Sequence, residues 1–167
     1  MIPYVEIAQK KGYSILILNP NERFGLDGKT NNAFKNMKEH CEYVYRNIIY
    51  KNDKIKEIYF VSHSLGGECN VEILKKFEDD LIKGKIKKIF FTDSLHGGSF
   101  HDLSKEGINI FKKISRNYVA SNEEKGKYLE NISQFTESQI YSSGTNSHEL
   151  TTGVCLDYAF DFFEDKI

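Results

Sequence analysis

Three side chains of the types that serve nucleophilic catalysis occur along the chain in the order Ser64, Asp93, His148. A serine hydroxyl is a poor nucleophile at neutral pH, so it needs a base within hydrogen-bond reach. The base in turn needs an acid that holds its tautomer and stabilises its charge. If the fold brings these three residues together, they would form the catalytic triad of a serine hydrolase.

Ser64 lies where a buried strand is predicted to pass into a helix. The short run Ile58–Val61 is apolar and rich in β-branched and aromatic residues, which predicts the strand. The turn Ser62–Gly67 follows at once, and a helical pattern begins after it. A strand, a tight turn with a central serine and a helix are the context of a nucleophile elbow. The alternative is an ordinary strand-to-helix turn whose serine caps the helix.

The neighbours of Ser64 fit the steric demands of such an elbow. The turn is strained, so the residues two before and two after the nucleophile must be small. Gly66 meets this demand, and Ser62 stands where glycine is usual. The backbone N–H of Leu65 is then the predicted oxyanion donor. The stretch His96–Gly98 is of the type that builds oxyanion holes, but it follows a different strand.

Asp93 and His148 also follow predicted strands. Asp93 comes directly after Ile86–Thr92, and His148 lies in the loop after Gln139–Ser143. Because ligands of parallel sheets bind at the carboxyl ends of the strands, we expect both side chains to lie near Ser64. The chain order serine, acid, histidine is that of the α/β-hydrolases.

Other candidate groups compete with this assignment. The usual acid position of α/β-hydrolases follows the strand after next, where the chain has Glu123 or Glu124, so both stay open beside Asp93. Lysines cluster around one helix–strand connection, which predicts a solvated face or a nucleic-acid patch. No compact ligand spacing supports a metal site, and we expect no metal and no cofactor. The imaginable ligands are His63, His96, His101 and Asp102, and the lysines are Lys75, Lys76, Lys83, Lys85, Lys87 and Lys88.

Strands and helices alternate along the chain, which predicts a parallel sheet with helices on both faces. We therefore expect a single domain over residues 1–167, an α/β three-layer sandwich of the α/β-hydrolase type with the elbow strand at its centre. The predicted strands are Tyr13–Leu18, Lys56–Ser62, Ile86–Thr92, Arg116–Ala120 and Gln139–Ser143. The predicted helices are Pro3–Lys11, Asn32–Tyr50, one from Ser64 to Leu81, Leu103–Ile114 and one around Leu156–Phe163.

The composition narrows the classes of partner. The net charge of −1 gives no overall attraction to nucleic acid or anionic membranes. No apolar run reaches transmembrane length, so we expect no membrane contact. The three cysteines, at positions 41, 69 and 155, are odd in number and far apart, which indicates buried thiols in a reducing compartment.

Four stretches together carry a family resemblance: IPYVEIAQKKGYSILILNPN, YFVSHSLGGE, KKIFFTDSLHGG and YSSGTNSHELTTG. They resemble the Argonaute-binding-protein-type domain, a subunit of the siRNA chaperone complex, and its animal cotranscriptional-regulator homologues. The resemblance implies an α/β-hydrolase fold, partners among Argonaute or small-RNA complex proteins, and a place in the nucleus or cytoplasm, with a link to heterochromatin. The motif residues of the family correspond to Ser64, Asp93 and His148.

The chain departs from the family pattern at its start. Family members carry a strand and a Gly-rich loop before the first helix, and this loop normally supplies the second oxyanion N–H. Here Met1 stands directly before the predicted helix. We therefore expect an N-terminally truncated domain with an incomplete oxyanion hole and, at most, weak hydrolase activity.

Overall fold

A computed structural model describes residues 2–21, 34–96, 100–130 and 137–167. The strands are β1 (Ile58–His63), β2 (Ile86–Thr92), β3 (Ser115–Val119) and β4 (Gln139–Ser142). The helices are α1 (Ile2–Lys10), α2 (Met37–Val44), α3 (Gly66–Lys76), α4 (Glu78–Ile82), α5 (Lys105–Ile114), α6 (Thr151–Val154) and α7 (Leu156–Phe163). A π-helical turn, Tyr45–Tyr50, extends α2, and 3₁₀ turns cover Phe100–Asp102 and His148–Leu150.

The four strands form one parallel sheet in the order β1-β2-β3-β4. The predicted α/β class with a parallel sheet is therefore confirmed. The predicted central position of the elbow strand is wrong for the described residues, because β1 lies at one edge of this sheet. The assignment to the α/β-hydrolase fold stays a prediction.

Strand β2 shows why helices cover both faces. Its successive side chains point to opposite sides of the sheet. The ring of Phe90 lies 6.4 Å from that of Phe162, on the side of α1 and α7. The ring of Phe91 lies 6.1 Å from that of Phe111, on the side of α3, α4 and α5. Both phenylalanines of β2 are fully buried, so each face carries its own core and the predicted three-layer arrangement is confirmed.

The predicted buried strand Tyr13–Leu18 is wrong. The segment has no regular secondary structure, and Ile15, Leu16 and Ile17 are 39%, 46% and 57% exposed. Only the ends of the segment are anchored: the ring of Tyr13 lies 5.4 Å from that of Tyr59 on β1, and Leu18 packs against the cluster around α2. Without backbone pairing to β1, the middle of the run has no surface on which to bury its side chains.

Two predicted helices are interrupted. The described part of the predicted helix Asn32–Tyr50 begins at Met37 and becomes a π-helix at Tyr45. The wider turn of a π-helix rotates the following side chains, so Tyr45 is buried while Ile48 is 50% exposed. The predicted helix to Leu81 breaks at Phe77, whose φ of −130° and ψ of 42° are not helical.

The edge formed by β4 is covered by the chain itself. Gly126 N–H donates to Ser142 O at 2.9 Å, Ser142 N–H donates to Lys127 O at 2.8 Å, and Leu129 N–H donates to Ile140 O at 2.9 Å. This segment lies between β3 and β4 in the chain, and it runs antiparallel to β4. No helix in the described part of the chain is long and apolar enough to cross a membrane.

Candidate functional site

Ser64 occupies a strained turn between β1 and α3. Its φ is +52°, a left-handed conformation that a side chain with a Cβ seldom adopts. Its N–H donates to Thr92 O at 3.2 Å, and its carbonyl accepts from Gly67 N–H at 3.1 Å and Leu95 N–H at 3.2 Å. Such strain persists only where the surroundings over-determine it, which is typical of functional sites. Strand β1, the turn and α3 therefore follow the strand–turn–helix context expected of an elbow.

The sequence pattern indicates Gly66 as the residue that must be small at this turn, but the structure shows that Gly67 is the one without room for a side chain. A Cβ added at Gly66 would lie 3.5 Å from Ser62 Cβ, an ordinary contact. A Cβ added at Gly67 would lie 1.7 Å from Ser94 Oγ. Gly67 is therefore the position where a side chain does not fit, and Ser62 is small enough for its place.

Asp93 and His148 are joined as an acid–base pair. His148 Nδ1 lies 2.7 Å from Asp93 Oδ2, while Asp93 Oδ1 accepts from Ala120 N–H at 3.0 Å. A carboxylate only accepts, so Nδ1 carries the proton and Nε2 of the neutral ring keeps a lone pair. Asp93 itself has a φ of +43°, and its N–H donates to Tyr118 O at 2.8 Å. The sheet thus fixes the carboxylate, and the carboxylate orients the imidazole.

Of the alternative acids, Glu123 does not occupy this place. Glu123 Oε2 pairs with Lys127 Nζ at 2.6 Å, and Asp93 is the carboxylate that contacts His148. No hydrogen bond joins His148 to Ser64 among the described residues, so the closed triad stays a prediction. The structure has the Asp93–His148 half of the constellation, with the His148 side chain 42% exposed.

His63 is a neighbour of the site that the sequence reasoning considered only as a metal ligand. Its ring centroid lies 4.4 Å from that of His148, and its Nδ1 lies 2.9 Å from Thr92 O. A carbonyl only accepts, so His63 Nδ1 carries a proton. Thr92 Oγ1 also contacts Thr152 Oγ1 at 2.7 Å. The signal available in the sequence was the position of His63, directly before the candidate nucleophile.

Buried beneath the turn lies His96, which the sequence reasoning considered only as a metal ligand and as part of an oxyanion-hole stretch. His96 is 1% exposed, and its ring stacks on Phe91 at 4.3 Å. Nδ1 lies 3.0 Å from Ser94 Oγ, and Nε2 lies 2.9 Å from Ser138 Oγ. Burial lowers the pKa of His96 to about 4, so the ring is neutral at pH 7. The idea that His96–Gly98 supplies an oxyanion donor stays open, because Gly97 and Gly98 lie outside the described residues.

The remaining candidates from the sequence are a metal site and the lysine cluster. No cluster of three or more His, Cys, Asp or Glu side chains in the described part of the chain could hold a metal ion. Five lysines of the predicted basic cluster lie within 4 Å of carboxylates, which offsets their charge. These pairs are Lys75–Asp102, Lys83–Asp79, Lys85–Asp80, Lys87–Glu57 and Lys88–Asp165.

The three cysteines are buried free thiols, as predicted. Cys41 of α2 and Cys69 of α3 contact each other through a thiol hydrogen bond, which raises the pKa of Cys41 and lowers that of Cys69. Burial raises the pKa of Cys155 to about 12, so this thiol stays protonated at neutral pH.

Comparison with known proteins places these features in a family. The Arb2 domain family matches residues 27–125. The cotranscriptional regulator ARB2A homologue of Xenopus tropicalis is 27% identical over 99% of this chain and 51% of its own length. The human cotranscriptional regulator ARB2A is 30% identical over 76% of this chain and 30% of its own length. A FAM172 family protein homologue of Caenorhabditis elegans is 27% identical over 99% and 51%.

The chain spans about half the length of most of these relatives, and no solved structure matches it. The family match covers more than half of the chain and includes β1, the Ser64 turn and Asp93. The resemblance seen in the sequence motifs is thereby confirmed, and the chain belongs to the Arb2 domain family.

Proposed function

We propose that the chain acts in cotranscriptional regulation in the nucleus as a domain that binds protein partners. The observation that carries this proposal is membership of the Arb2 domain family, whose curated relatives are named cotranscriptional regulators. The net charge of −1 and the carboxylate-paired lysines favour protein contacts over direct phosphate contacts. By resemblance, the partners are Argonaute or other proteins of a small-RNA complex.

Immunoprecipitation of the epitope-tagged chain from native extract tests this proposal. We expect Argonaute or other small-RNA complex proteins to be enriched over an unrelated tagged α/β protein of similar size. The association should survive treatment of the extract with RNase, because the contact is between proteins. Enrichment equal to that of the control protein contradicts the proposal, and loss of enrichment after RNase contradicts the protein–protein contact.

The second candidate function is a serine hydrolase that acts on an ester or thioester. Its support is the 2.7 Å contact between Asp93 and His148 beside a serine with a φ of +52°. Ser64 Oγ would attack the acyl carbonyl carbon while His148 Nε2 takes the hydroxyl proton. Asp93 would stabilise the imidazolium, and Leu65 N–H would donate to the oxyanion.

The reaction would then proceed through an acyl-enzyme. Collapse of the tetrahedral intermediate expels the alcohol or thiol, which receives the proton from His148. Water, deprotonated by the same nitrogen, would attack the acyl group on Ser64. His148 would then return the proton to Ser64 Oγ as the bond from Oγ to the acyl carbon breaks and the acid leaves. With only one identified oxyanion donor, the activity is expected to be weak, because one missing donor costs about 10²–10³ in rate.

Labelling with a fluorophosphonate probe tests this second candidate. We expect the wild-type chain to be labelled, with the adduct mapped to Ser64 by peptide mass spectrometry, and Ser64→Ala to stay unlabelled. A well-characterised serine hydrolase in the same reaction serves as the control for the probe. Wild-type protein that stays unlabelled at high probe concentration while the control reacts contradicts the hydrolase proposal.

A further inference from the structure

A hydrogen-bond chain with one direction runs beneath the Ser64 turn. Ser94 Oγ lies 3.2 Å from Ser64 O, and a carbonyl only accepts, so the Ser94 hydroxyl donates there. A hydroxyl has one proton, so Ser94 Oγ must accept the proton of His96 Nδ1 at 3.0 Å. Nε2 of the neutral ring then accepts from Ser138 Oγ at 2.9 Å, which accepts from Ser115 Oγ at 3.0 Å. Each donor leads to the next acceptor, and the chain ends at the Ser64 carbonyl.

The surroundings preserve this direction. Ser94, His96, Ser138 and Ser115 are 1% to 6% exposed, so water does not compete for their hydrogen bonds. The rings of Phe91, Phe100 and Phe111 lie 4.3 to 6.2 Å from the His96 ring. These apolar neighbours disfavour a charged imidazole. A neutral ring with the proton on Nδ1 is the form that the hydrogen-bond chain requires.

The Ser64 carbonyl determines where the next N–H points. It accepts from three donors, Ser94 Oγ, Gly67 N–H and Leu95 N–H, which over-determine its orientation. In a planar trans peptide, the C=O and the following N–H point in opposite directions, and none of the described peptide bonds is cis. Leu65 N–H therefore points away from the buried hydrogen-bond chain. Among the described residues it donates to no protein acceptor, so it is available to a ligand.

We propose that His96 is a positioning residue that acts through Ser94 to hold the Ser64–Leu65 peptide with its N–H aimed at the acyl oxygen of a substrate on Ser64. This inference deepens the hydrolase proposal and rests on it for its kinetic readout. It gives a role to a histidine outside the triad, and it explains why Gly67 has no room for a Cβ: that atom would lie 1.7 Å from Ser94 Oγ and 3.2 Å from His96 Nδ1.

Two variants interrupt the hydrogen-bond chain at its end nearest the Ser64 turn. Ser94→Ala removes the hydroxyl that bridges His96 and Ser64, and Gly67→Ala displaces the same hydroxyl from the other side. Ser142→Ala is the control for the first, since Ser142 is a buried serine whose hydroxyl donates to Glu123 O at 2.8 Å. Gly153→Ala is the control for the second, because a Cβ there would meet no atom within 4 Å.

The kinetic readout is the rate of fluorophosphonate labelling as a function of probe concentration. We expect Ser94→Ala and Gly67→Ala to lower the maximal rate by about 10- to 100-fold, since a misplacement of about 1 Å can cost 10²-fold. The half-saturating probe concentration should change less than twofold, because encounter with the probe does not use the oxyanion donor. Both controls should label at the wild-type rate. Labelling of Ser94→Ala at the wild-type maximal rate overturns the inference.

A readout that needs no reaction separates this inference from the hydrolase proposal. The amide resonance of Leu65, followed by ¹H–¹⁵N NMR, should move more in Ser94→Ala than in Ser142→Ala, and its hydrogen exchange should quicken. An unchanged Leu65 resonance overturns the positioning role even if the wild type is labelled. Failure of the wild type to label, with a displaced Leu65 resonance in Ser94→Ala, contradicts the hydrolase proposal and retains only the orientation of the Ser64–Leu65 peptide by Ser94.

Discussion

Two histidine environments flank the Ser64 turn, and they differ in almost every physical respect. His148 is partly exposed and donates through Nδ1 to the carboxylate of Asp93. His96 is buried among phenylalanines and donates through Nδ1 to the hydroxyl of Ser94. A carboxylate can stabilise an imidazolium, whereas a hydroxyl in an apolar pocket cannot compensate for the lost hydration of one. The same side chain is thus suited to exchange a proton at one site and to hold a fixed geometry at the other.

Replacement of the Asp93 carboxylate tests the comparison between His148 and His96 with the largest expected effect. We expect Asp93→Asn to reduce the maximal fluorophosphonate labelling rate of Ser64 by about 10³- to 10⁴-fold, because an amide neither stabilises the imidazolium nor enforces the required tautomer. Asp157→Asn is the control, since Asp157 is exposed and pairs with Lys125. Labelling of Asp93→Asn within tenfold of the wild-type rate would show that His148 works without its carboxylate.

The buried histidine should be visible in the pH dependence of stability. Its folded-state pKa of about 4 lies below the unfolded value of about 6.5, so the unfolded chain binds the proton more tightly. The free energy of unfolding should be highest above pH 6.5 and should fall as the pH drops towards 4, with His96 contributing about 3 kcal/mol of that loss. Urea unfolding at several pH values measures this change.

Variants separate the His96 contribution from that of the carboxylates, which also titrate in this range. His96→Asn should show a shallower loss of stability between pH 7 and pH 4 than the wild type, even if it is less stable at pH 7. Equal slopes for His96→Asn and the wild type would refute the buried neutral state.

The smallest expected effect concerns His63, which contacts His148 through its ring. Aromatic ring contacts contribute about 0.5–1.5 kcal/mol, which corresponds to about 2- to 10-fold in rate. We expect His63→Ala to lower the labelling rate by this amount and His63→Phe, which keeps a ring at 63, to recover most of it. Equal rates for the Ala and Phe variants would assign the role of His63 to its hydrogen bond with Thr92 O rather than to the ring contact.

The parts of the fold that follow from local sequence were predictable. Strand β2 was predicted with its observed bounds, Ile86–Thr92, because an apolar run between turn residues leaves little freedom. The run Tyr13–Leu18 has the same signature, yet it forms no strand. An apolar pattern indicates affinity for a sheet, but a strand also requires a paired backbone, and this pairing depends on distant residues. For the same reason, β1 lies at an edge rather than at the centre of the sheet that the described residues form.

In the candidate site, too, some features could be predicted from the sequence and others could not. Asp93 and His148 could be placed together because both follow strands of one parallel sheet, and the 2.7 Å contact agrees with that reasoning. The roles of Gly67 and His96 could not be read from spacing alone. They depend on three-dimensional contacts between the start of α3, the loop after β2 and Ser138, which are separated by up to about seventy residues.

Among the described residues, no strand pairs with the outer edge of β1, and this has a consequence for handling the protein. Backbone groups at a sheet edge can recruit a strand from another molecule. Three exposed aliphatic side chains lie in sequence between Tyr13, which contacts Tyr59 of β1, and Leu18, which packs in the cluster that includes Ile58 and Phe60 of β1. Concentrated solutions of the isolated chain should therefore aggregate through β1, while the β4 edge, covered by its antiparallel segment, should not contribute. Ile17→Lys places a charge where the side chain is most exposed and should improve solubility at little cost to folding, because a flanking lysine is a common gatekeeper against intermolecular strand pairing.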